Sequence, residues 1–565
     1  MQKKWNVKKY INDSIDGIDN EIIEQLLLQK DITSKEDAMN FFTPNYDELH
    51  DAFLFEDMDK VVERVEKAIK NQEIIGIFGD HDADGVSSAT VLVEGLEKLG
   101  LNVDVYIPNK ITEGHGINKK AIDEFVAIGV TLMFSVDCGT SNVDEVDYTN
   151  EQGLDVIITD HHHAPDTLPN AYAIINPQLP KCKYPFKNLS GTAVAFKVVE
   201  ALFDRIAPEK SEQLKWLLDV VCVGTIADCM PLVGENRTLV KYGLIVLSKT
   251  QRLGYQEMCN VGNIAINNGS IPSATTVAFQ IAPRINAAGR MSHAKYAFEL
   301  MRETDKSLAI KQAQELEKQN LQRREITELL TAEVEQIIEK DHKDKSFIVI
   351  ADRNYPVGIV GIIAGRVAQK YGKPTGIFTK YDNESRGSFR SVEGVHILDV
   401  LNACSEHLGK FGGHEQAAGA TIQNDNFDNF SIAANEFIDE NIDLKKNKQC
   451  LTANCEITFK DISRKLSTEL QKFEPFGESN EEPVFMLQNL VIDDIRTVGS
   501  DKKHLKLKLA QEGFAQSYDA IGFGIGNLIN ELNRGDLVDV VVNIQENEWM
   551  GNVSVQFNIV DIMKK

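Results

Sequence analysis

The sequence predicts a multidomain α/β protein: a parallel-sheet α/β domain, a long linking helix, a smaller α/β domain and a C-terminal β-barrel of the OB type. Three observations predict it. The 565 residues exceed a single domain of roughly 100–200 residues. Across 74–176, short apolar runs rich in β-branched residues alternate with amphipathic stretches, which is the pattern of βαβ units. From Cys450 onward strand-like runs dominate, and their number fits one five-stranded barrel.

Each element follows in order. Residues 1–50 read as a lead-in and 51–305 as the first α/β domain. Strands are expected at 74–78, 103–108, 131–137, 154–160 and 171–176, each of strand length and apolar enough for a sheet covered on both faces. Helices are expected between them, at 88–99 and 119–128. Residues 214–226 are apolar nearly all round and predict a buried helix. The stretch 306–345 contains a long polar helix whose Leu308, Leu316, Ile326, Leu330, Val334 and Ile337 form one stripe. At 1.5 Å per residue it would span about 50 Å, enough to hold two domains apart. The second α/β domain, 346–442, opens with a strand at 347–351. A charged linker follows at 443–449, and then the barrel at 450–565, with strands at 484–487, 505–509, 537–544 and 553–559.

Composition narrows the function. The net charge of -25 argues against coating of duplex DNA by a basic surface. It leaves room for a carboxylate-rich metal site and for a local basic groove holding a single strand. No apolar run reaches the length of a membrane span, and the first residues lack the apolar core of a secretory signal. A cytoplasmic protein without a membrane role is the expectation. The eight cysteines form no CxxC pair, so neither a zinc ribbon nor a disulfide framework is expected, and most should be small buried hydrophobes.

Candidate ligands cluster at predicted strand ends. GDHDADG (79–85) follows the first strand, Asp137 ends the third, and Asp160-His161-His162-His163 follows the fourth. In a parallel sheet these ends share one edge, where ligands bind. Asp and Gly after a strand are ordinary turn residues, so DADG alone reads as a turn. Its combination with Asp137 and three histidines on one edge does not. Crowded carboxylates repel unless cations neutralise them, and oxygen with imidazole suits Mn²⁺ or Mg²⁺.

GDHDADG, VDCG, TDHHHAP and GTIADCMPL resemble the four motifs of the DHH phosphoesterase superfamily. YIPNKITEGHGIN, APRINAAGRM, SFRS, FGGHEQAAGA and FEPFGESNEEPVF resemble the RecJ family within it, and the likeness runs from about residue 50 to the end. The resemblance implies a DHH catalytic domain, a DHHA1 substrate domain and an OB domain. It implies two divalent metal ions, Mn²⁺ or Mg²⁺. Asp84, Asp137, His161 and Asp228 would hold one ion; Asp82 and Asp137, with Asp80, the other. It implies His162 as the residue assisting protonation or contacting the scissile phosphate, with Asp160 orienting it. His163 is given no role. Two positions depart from the family: His81 stands where Tyr is usual, and Lys110 where Arg is frequent. GESNEEP also departs from the usual Gly-Asn-Pro-rich run.

Substrate-binding candidates are Lys110, Arg284, Asn286, Arg290, Ser388, Arg390 and His414, together with Lys506 and Lys508. The small residues 287–289 would admit a phosphate backbone between Arg284 and Arg290. Ser388, Arg390 and His414 lie beside glycines and would form a phosphate cradle. His504, Lys506 and Lys508 alternate with Leu505, Leu507 and Leu509, so a strand would put the cations on one face, supplemented by Lys502 and Lys503. The GFGIG run at 522–526 lacks the strand-turn-helix context of a nucleotide loop. The resemblance implies two-metal hydrolysis of single-stranded DNA from the 5′ end, releasing mononucleotides, in repair and recombination. It implies a single-stranded-DNA-binding protein and a helicase as partners, and the expected state is a monomer. The rivals are a DHH phosphodiesterase acting on short RNA oligomers or cyclic dinucleotides, and a non-catalytic replication scaffold.

Overall fold

Five parallel strands build the first sheet: β1 (Ile74–Gly79), β2 (Asn102–Tyr106), β3 (Val130–Val136), β4 (Asp155–Thr159) and β5 (Ala173–Ile175), in the order β2-β1-β3-β4-β5. The computed structural model describes residues 4–266, 270–444, 450–499, 501–549 and 552–565. All five strands stand where the apolar runs predicted. The order reverses between β1 and β3, and in an open α/β sheet such a switch point leaves a crevice at the strands' carboxyl ends. β1 and β3 are buried along most of their length, which is why they read as continuous apolar runs.

The helices correct two expectations. α1 (Ala83–Lys98) begins inside the DADG motif instead of at residue 88, because Asp82 caps it: its Oδ1 accepts from the N–H groups of Asp84 and Gly85 at 2.9 and 3.1 Å. Gly85 is required there, since a Cβ would meet the Asp80 backbone at 2.6 Å. α2 spans Gly191–Ile206. The run expected as one helix at 214–226 is divided between a 3-10 segment, Pro208–Leu217, and α3 (Leu218–Ala227).

α4 (Ala282–Met291) leads toward α5 (Lys306–Ile337). α5 packs against α4 and, farther along, against α6 (Val360–Tyr371). It therefore joins the two α/β domains and does not hold them apart; residues 49–448 form one compact unit. Its buried stripe includes Leu316, Leu330 and Val334, while Leu308 is exposed.

The second sheet is mixed. β6 (Ile348–Asp352), β7 (Thr375–Lys380), β8 (Glu384–Arg390), β9 (Phe411–Gly413) and β10 (Ala417–Gln423) lie in the order β9-β10-β8-β7-β6. Only β6 and β7 are parallel.

The other unit joins residues 1–48 to 449–565. β11 (Phe485–Val498), β12 (His504–Gln511), β13 (Ser517–Gly522), β14 (Leu537–Trp549) and β15 (Asn552–Lys564) follow the order β11-β12-β13-β15-β14, and β14 pairs back to β11. That closure makes a five-stranded barrel and removes its free edges. The sequence does not predict β13, its short apolar positions being interrupted by Asp519 and Gly522.

The first residues are part of this unit: strand Lys4–Val7 pairs in parallel with Cys450–Ala453. Ile23, Leu26, Leu27 and Leu28 share one core with Leu466, Leu470, Phe473 and the barrel interior. In the GESNEEP stretch, buried Asn480 donates to the carbonyls of Phe473 and Pro475. Residues 445–449 of the expected linker lie outside the described residues. Cys138, Cys222, Cys259 and Cys404 are buried, half of the eight and fewer than expected; Cys182 and Cys455 are half-buried, and Cys229 and Cys450 are exposed. No helix among the described residues is long and apolar enough to cross a membrane.

Candidate metal centre and phosphate pocket

At the switch point the strand ends bring the carboxylates together. Asp80 and Asp82 follow β1, Asp84 lies in the first turn of α1, Asp137 follows β3, and Asp228 caps α3. His161 Nε2 lies 3.1 Å from Asp137 Oδ1, 3.5 Å from Asp228 Oδ2 and 3.9 Å from Asp84 Oδ2. Asp80, Asp82 and Asp137 form a second convergent group, with Asp137 adjoining both. All six expected ligands are thus brought to one crevice.

The chemistry of these atoms fits cations. Asp137 Oδ1 and His161 Nε2 are both buried and make no hydrogen bond, although buried polar atoms are ordinarily satisfied. Burial, and then the neighbouring Asp84, Asp82 and Asp228 charges, push the Asp137 carboxyl well above its usual range. Burial also raises Asp84, and burial with Asp84 and Asp82 pushes Asp228 up to about 9. Such mutual elevation is relieved by positive charge placed among the oxygens.

Helix termini supply part of that charge. Ser190 caps α2, and the N–H groups of Gly191 and Thr192 donate to the two oxygens of Asp84 at 2.7 and 3.0 Å. The positive end of the α2 dipole thus faces a carboxylate. Gly191 is required for this approach: a Cβ would stand 2.5 Å from Asp137 Oδ1. A Cβ on Gly224 would meet Thr192 Oγ1 at 2.1 Å and Asp84 Oδ1 at 2.7 Å.

Asp160 organises the histidines. Buried, it accepts from the backbone of Thr140, His161 and His162, and its Oδ1 lies 2.7 Å from His162 Nδ1. Burial would raise its pKa, but the His162 bond and charge prevail and hold it well below the usual carboxylate range. Burial would lower His162; Asp160 overrides it and raises the imidazole to about 9. His162 is consequently a half-exposed cation at neutral pH with its Nε2 edge free of Asp160. His161 differs, burial keeping it below the ordinary imidazole value.

Cations gather beside this edge. Lys110 is lowered by burial and then by Arg290 and Arg390, while Asp82 and Asp80 act against them. Arg290 is lowered by burial, and Arg390 by burial and Arg290. The guanidinium of Arg290 donates to the Gly358 carbonyl at 3.0 Å and that of Arg390 to the Phe389 carbonyl at 2.7 Å. Ser388 adjoins Arg390 across Gly361 at the start of α6. His414 reaches the histidine loop, its ring 6.1 Å from that of His163. Crowded cations of one sign, like the crowded carboxylates, await an opposite charge.

Sequence reasoning missed Arg323, on α5. Burial, then Arg290, Arg324 and Arg366, lower it to about 10, and its buried Nε has no hydrogen-bond partner. Its signal was weak, one arginine among many on a polar helix.

Two candidates on α4 have partners inside the protein. Arg284 is engaged within the protein: its guanidinium binds Glu317 of α5 with contacts of 2.5 and 3.1 Å and also donates to the Gln280 carbonyl, while its charge still acts on Arg323. Asn286 accepts from the backbone N–H of Ala83 at 3.0 Å, so it steadies the start of α1. The small residues 287–289 are buried, and a Cβ on Gly289 would meet the His81 carbonyl at 2.7 Å. They admit protein backbone, not phosphate.

In the barrel unit, Leu505, Leu507 and Leu509 are buried while Lys508 is exposed and Lys506 half-exposed, as the alternation predicted. Lys506 Nζ lies 3.3 Å from Asp519 Oδ2, so part of its charge is spent within the sheet. Exposed Phe523, from the GFGIG run, lies edge-on to His504 with centroids 5.2 Å apart. Hydrogen bonding from Gly524 N–H to His504 Nδ1 fixes that turn at 3.1 Å.

A doubly wound sheet with carboxylates and imidazoles at its switch point, joined to a second α/β domain bearing cations, defines the DHH–DHHA1 class. Family models agree: "DHH family, N-terminal domain" matches 74–225, "DHHA1 domain" matches 344–440, and "RecJ OB domain" matches 453–561. The single-stranded-DNA-specific exonuclease RecJ of Bacillus subtilis is 33% identical over 99% of this chain and 70% of its own length. Its namesake from Haemophilus influenzae is 32% identical over 88% of this chain and 89% of its own. The crystal structure of RecJ in complex with Mn²⁺ from Thermus thermophilus superposes with a TM-score of 0.82 at 25% identity, covering 100% of this chain and 80% of that one. The chain belongs to the RecJ family.

Proposed function

We propose that this protein is a metal-dependent exonuclease that hydrolyses single-stranded DNA from the 5′ end and releases mononucleotides. One observation carries the reading: the unsatisfied ligand atoms of Asp137 and His161 stand beside a cluster of three cations, Lys110, Arg290 and Arg390, that lower one another's pKa. A phosphodiester needs both, a place for its reacting phosphorus and a place for the adjoining phosphate. The relatives' names, single-stranded-DNA-specific exonuclease, supply the substrate.

Asp84, Asp137, His161 and Asp228 would hold one divalent ion, and Asp80, Asp82 and Asp137 the other. Mn²⁺ or Mg²⁺ in these places supplies Lewis acidity and an activated water. Protonated His162, held through Nδ1 by Asp160, presents a proton to the leaving oxygen from its other ring nitrogen. Arg290, Arg390, Lys110 and Ser388 hold the terminal phosphate so that the scissile bond meets the carboxylate edge. His414 closes from the second domain. On the barrel, Lys506 and Lys508 attract the backbone, and Phe523 offers a face for stacking. The same reading makes the protein cytoplasmic and monomeric, working in repair and recombination with a single-stranded-DNA-binding protein and a helicase.

The test is digestion of linear 5′-phosphorylated single-stranded DNA beside its circular form and blunt duplex, with Mn²⁺ or with EDTA. Only the linear strand with metal should be degraded; efficient digestion of the circle would overturn end recognition. Arg390→Ala should raise KM and lower kcat together, since a substrate shifted by about 1 Å can lose about 100-fold in rate. Wild-type kcat in that variant would confine Arg390 to anchoring.

A further inference from the structure

The loop after β2 brings His115 against His81, with ring centroids 4.5 Å apart and planes inclined at 65°. Asp80 joins them: its Oδ1 is 2.9 Å from His81 Nδ1 and its Oδ2 is 3.9 Å from His115 Nδ1. One ligand atom from each residue lies within 4.8 Å of the others. This trio shares only Asp80 with the carboxylate sets described above, and neither imidazole has a part in them.

We propose that Asp80, His81 and His115 form a further cation site, selective for a borderline transition ion such as Zn²⁺ or Co²⁺ over Mg²⁺. The donor set decides the class of ion. Mg²⁺ asks for octahedral oxygen ligands and keeps its waters, whereas imidazole nitrogen suits zinc and its neighbours. With Zn–N and Zn–O bonds of about 2.0–2.2 Å, two tetrahedral ligands lie roughly 3.4 Å apart. The Asp80–His81 and Asp80–His115 separations fall on either side of that value. His81 is 3% exposed and fixed, whereas His115 is 68% exposed, so its ring can close on an ion without disturbing the sheet. Lys110 belongs to the same loop; Asp80 acts on its charge, and Lys110, after burial and His81, helps to keep His115 neutral, the form that binds a metal. An ion held here would adjoin the carboxylate edge through Asp80 and share its loop with Lys110.

The site borrows Asp80 from the proposed two-ion centre, so the test separates them. Equilibrium dialysis against Zn²⁺ in excess Mg²⁺, and Co²⁺ visible absorption, are measured on the wild type, His115→Ala, His81→Phe and His161→Ala. Wild type and His161→Ala should retain an ion that both His115→Ala and His81→Phe bind at least about tenfold more weakly, the least that losing even an outer partner costs. The Co²⁺ band of a nitrogen-rich site should disappear with it. His115 is an exposed loop residue, so its variant tests the site even where His81→Phe fails to fold. Equal Zn²⁺ retention in wild type and His115→Ala would overturn the proposal. So would loss of the ion in His161→Ala alone, which would assign it to the neighbouring set.

Discussion

Asp137 is buried, has φ +59° and lies among four other carboxylates, Asp80, Asp82, Asp84 and Asp228. A left-handed backbone is tolerated by Asp and Asn better than by most residues, so Asp137→Asn keeps the turn and removes the charge. In EDTA this variant should melt above the wild type, while cleavage falls at least about a hundredfold, as when one preorganised electrostatic group is lost. Thermal melts and single-turnover assays check both halves. The pH dependence follows from the same residues. A carboxyl raised by folding stabilises the fold below its unfolded pKa, and that contribution is lost as pH rises through the folded value. A histidine raised by its partner behaves in the same direction. Asp228, raised from 3.8, and His162, raised from 6.5, both reach about 9. The metal-free protein should therefore lose stability from about pH 3.8 through Asp228, more steeply above 6.5 where His162 joins, until about pH 9. Because binding requires deprotonated carboxylates, the interval between melting curves in Mn²⁺ and in EDTA should widen over that range. A flat or rising EDTA curve would contradict this. The convergence of Asp80, Asp82, Asp84, Asp137 and His161 was legible because carboxylates and histidines at strand ends are conspicuous, whereas Asp228, at the end of a helix, entered only through the family resemblance. The Glu317 partner of Arg284 was not legible, because an arginine looks the same in sequence whether it meets a phosphate or a carboxylate.

The first turn of α1 performs two tasks with one residue, and element-scale variants separate them. Asp82 caps the helix and belongs to the second ligand group. Asn caps about as well as Asp, whereas Ala costs about 1 kcal/mol. Asp82→Asn should therefore melt close to wild type in EDTA, Asp82→Ala measurably lower, and both should lose Mn²⁺ affinity. Equal melting of the two would remove the cap from the account. Gly191→Ala at the start of α2 has opposed effects. Ala favours a helix over Gly by about 0.8–1.0 kcal/mol, yet its Cβ would intrude on Asp137 Oδ1. The variant should remain folded by circular dichroism and lose Mn²⁺ binding in titration calorimetry; unchanged binding would show that the contact relaxes. These helix starts were not legible. A cap and a turn use the same residues, so DADG looked like a turn, and the approach of Gly191 to Asp84 and Asp137 joins segments distant in the chain.

Over the whole molecule, the strands of the first sheet and the long helix α5 were legible because apolar periodicity is a local signal, whereas β13 was not. The affiliation of the first residues was not, because it depends on partners more than 400 residues later. Trp5 Nε1 donates to Asp561 at 2.8 Å, and Gln29 Nε2 donates to the Asn454 carbonyl at 2.9 Å. Ile15, Ile23, Leu26, Leu27, Leu28 and Ala38 are buried in the barrel unit's core. At about 1.5–3 kcal/mol for each large apolar side chain, removing them costs on the order of 10 kcal/mol, comparable to the entire stability of a domain. A chain beginning at residue 49 should therefore retain a folded 49–448 unit but present a barrel that unfolds or aggregates. A chain ending at 448 should fail differently, leaving the apolar faces of Glu21–Leu28 and Lys35–Phe42 uncovered. Only removal of both segments should restore a soluble protein. Residues 49–448 alone hold every proposed metal ligand and the phosphate pocket. They should bind Mn²⁺ and hydrolyse a dinucleotide near the wild-type rate, while binding long single-stranded DNA much more weakly and with a shallower dependence on salt, since fewer phosphates are neutralised. Calorimetric melts of the three chains, and gel-shift titrations of the soluble ones across a salt series, decide it. Equal loss of dinucleotide hydrolysis and long-strand binding would make the barrel unit a support for the catalytic fold instead of a grip on DNA.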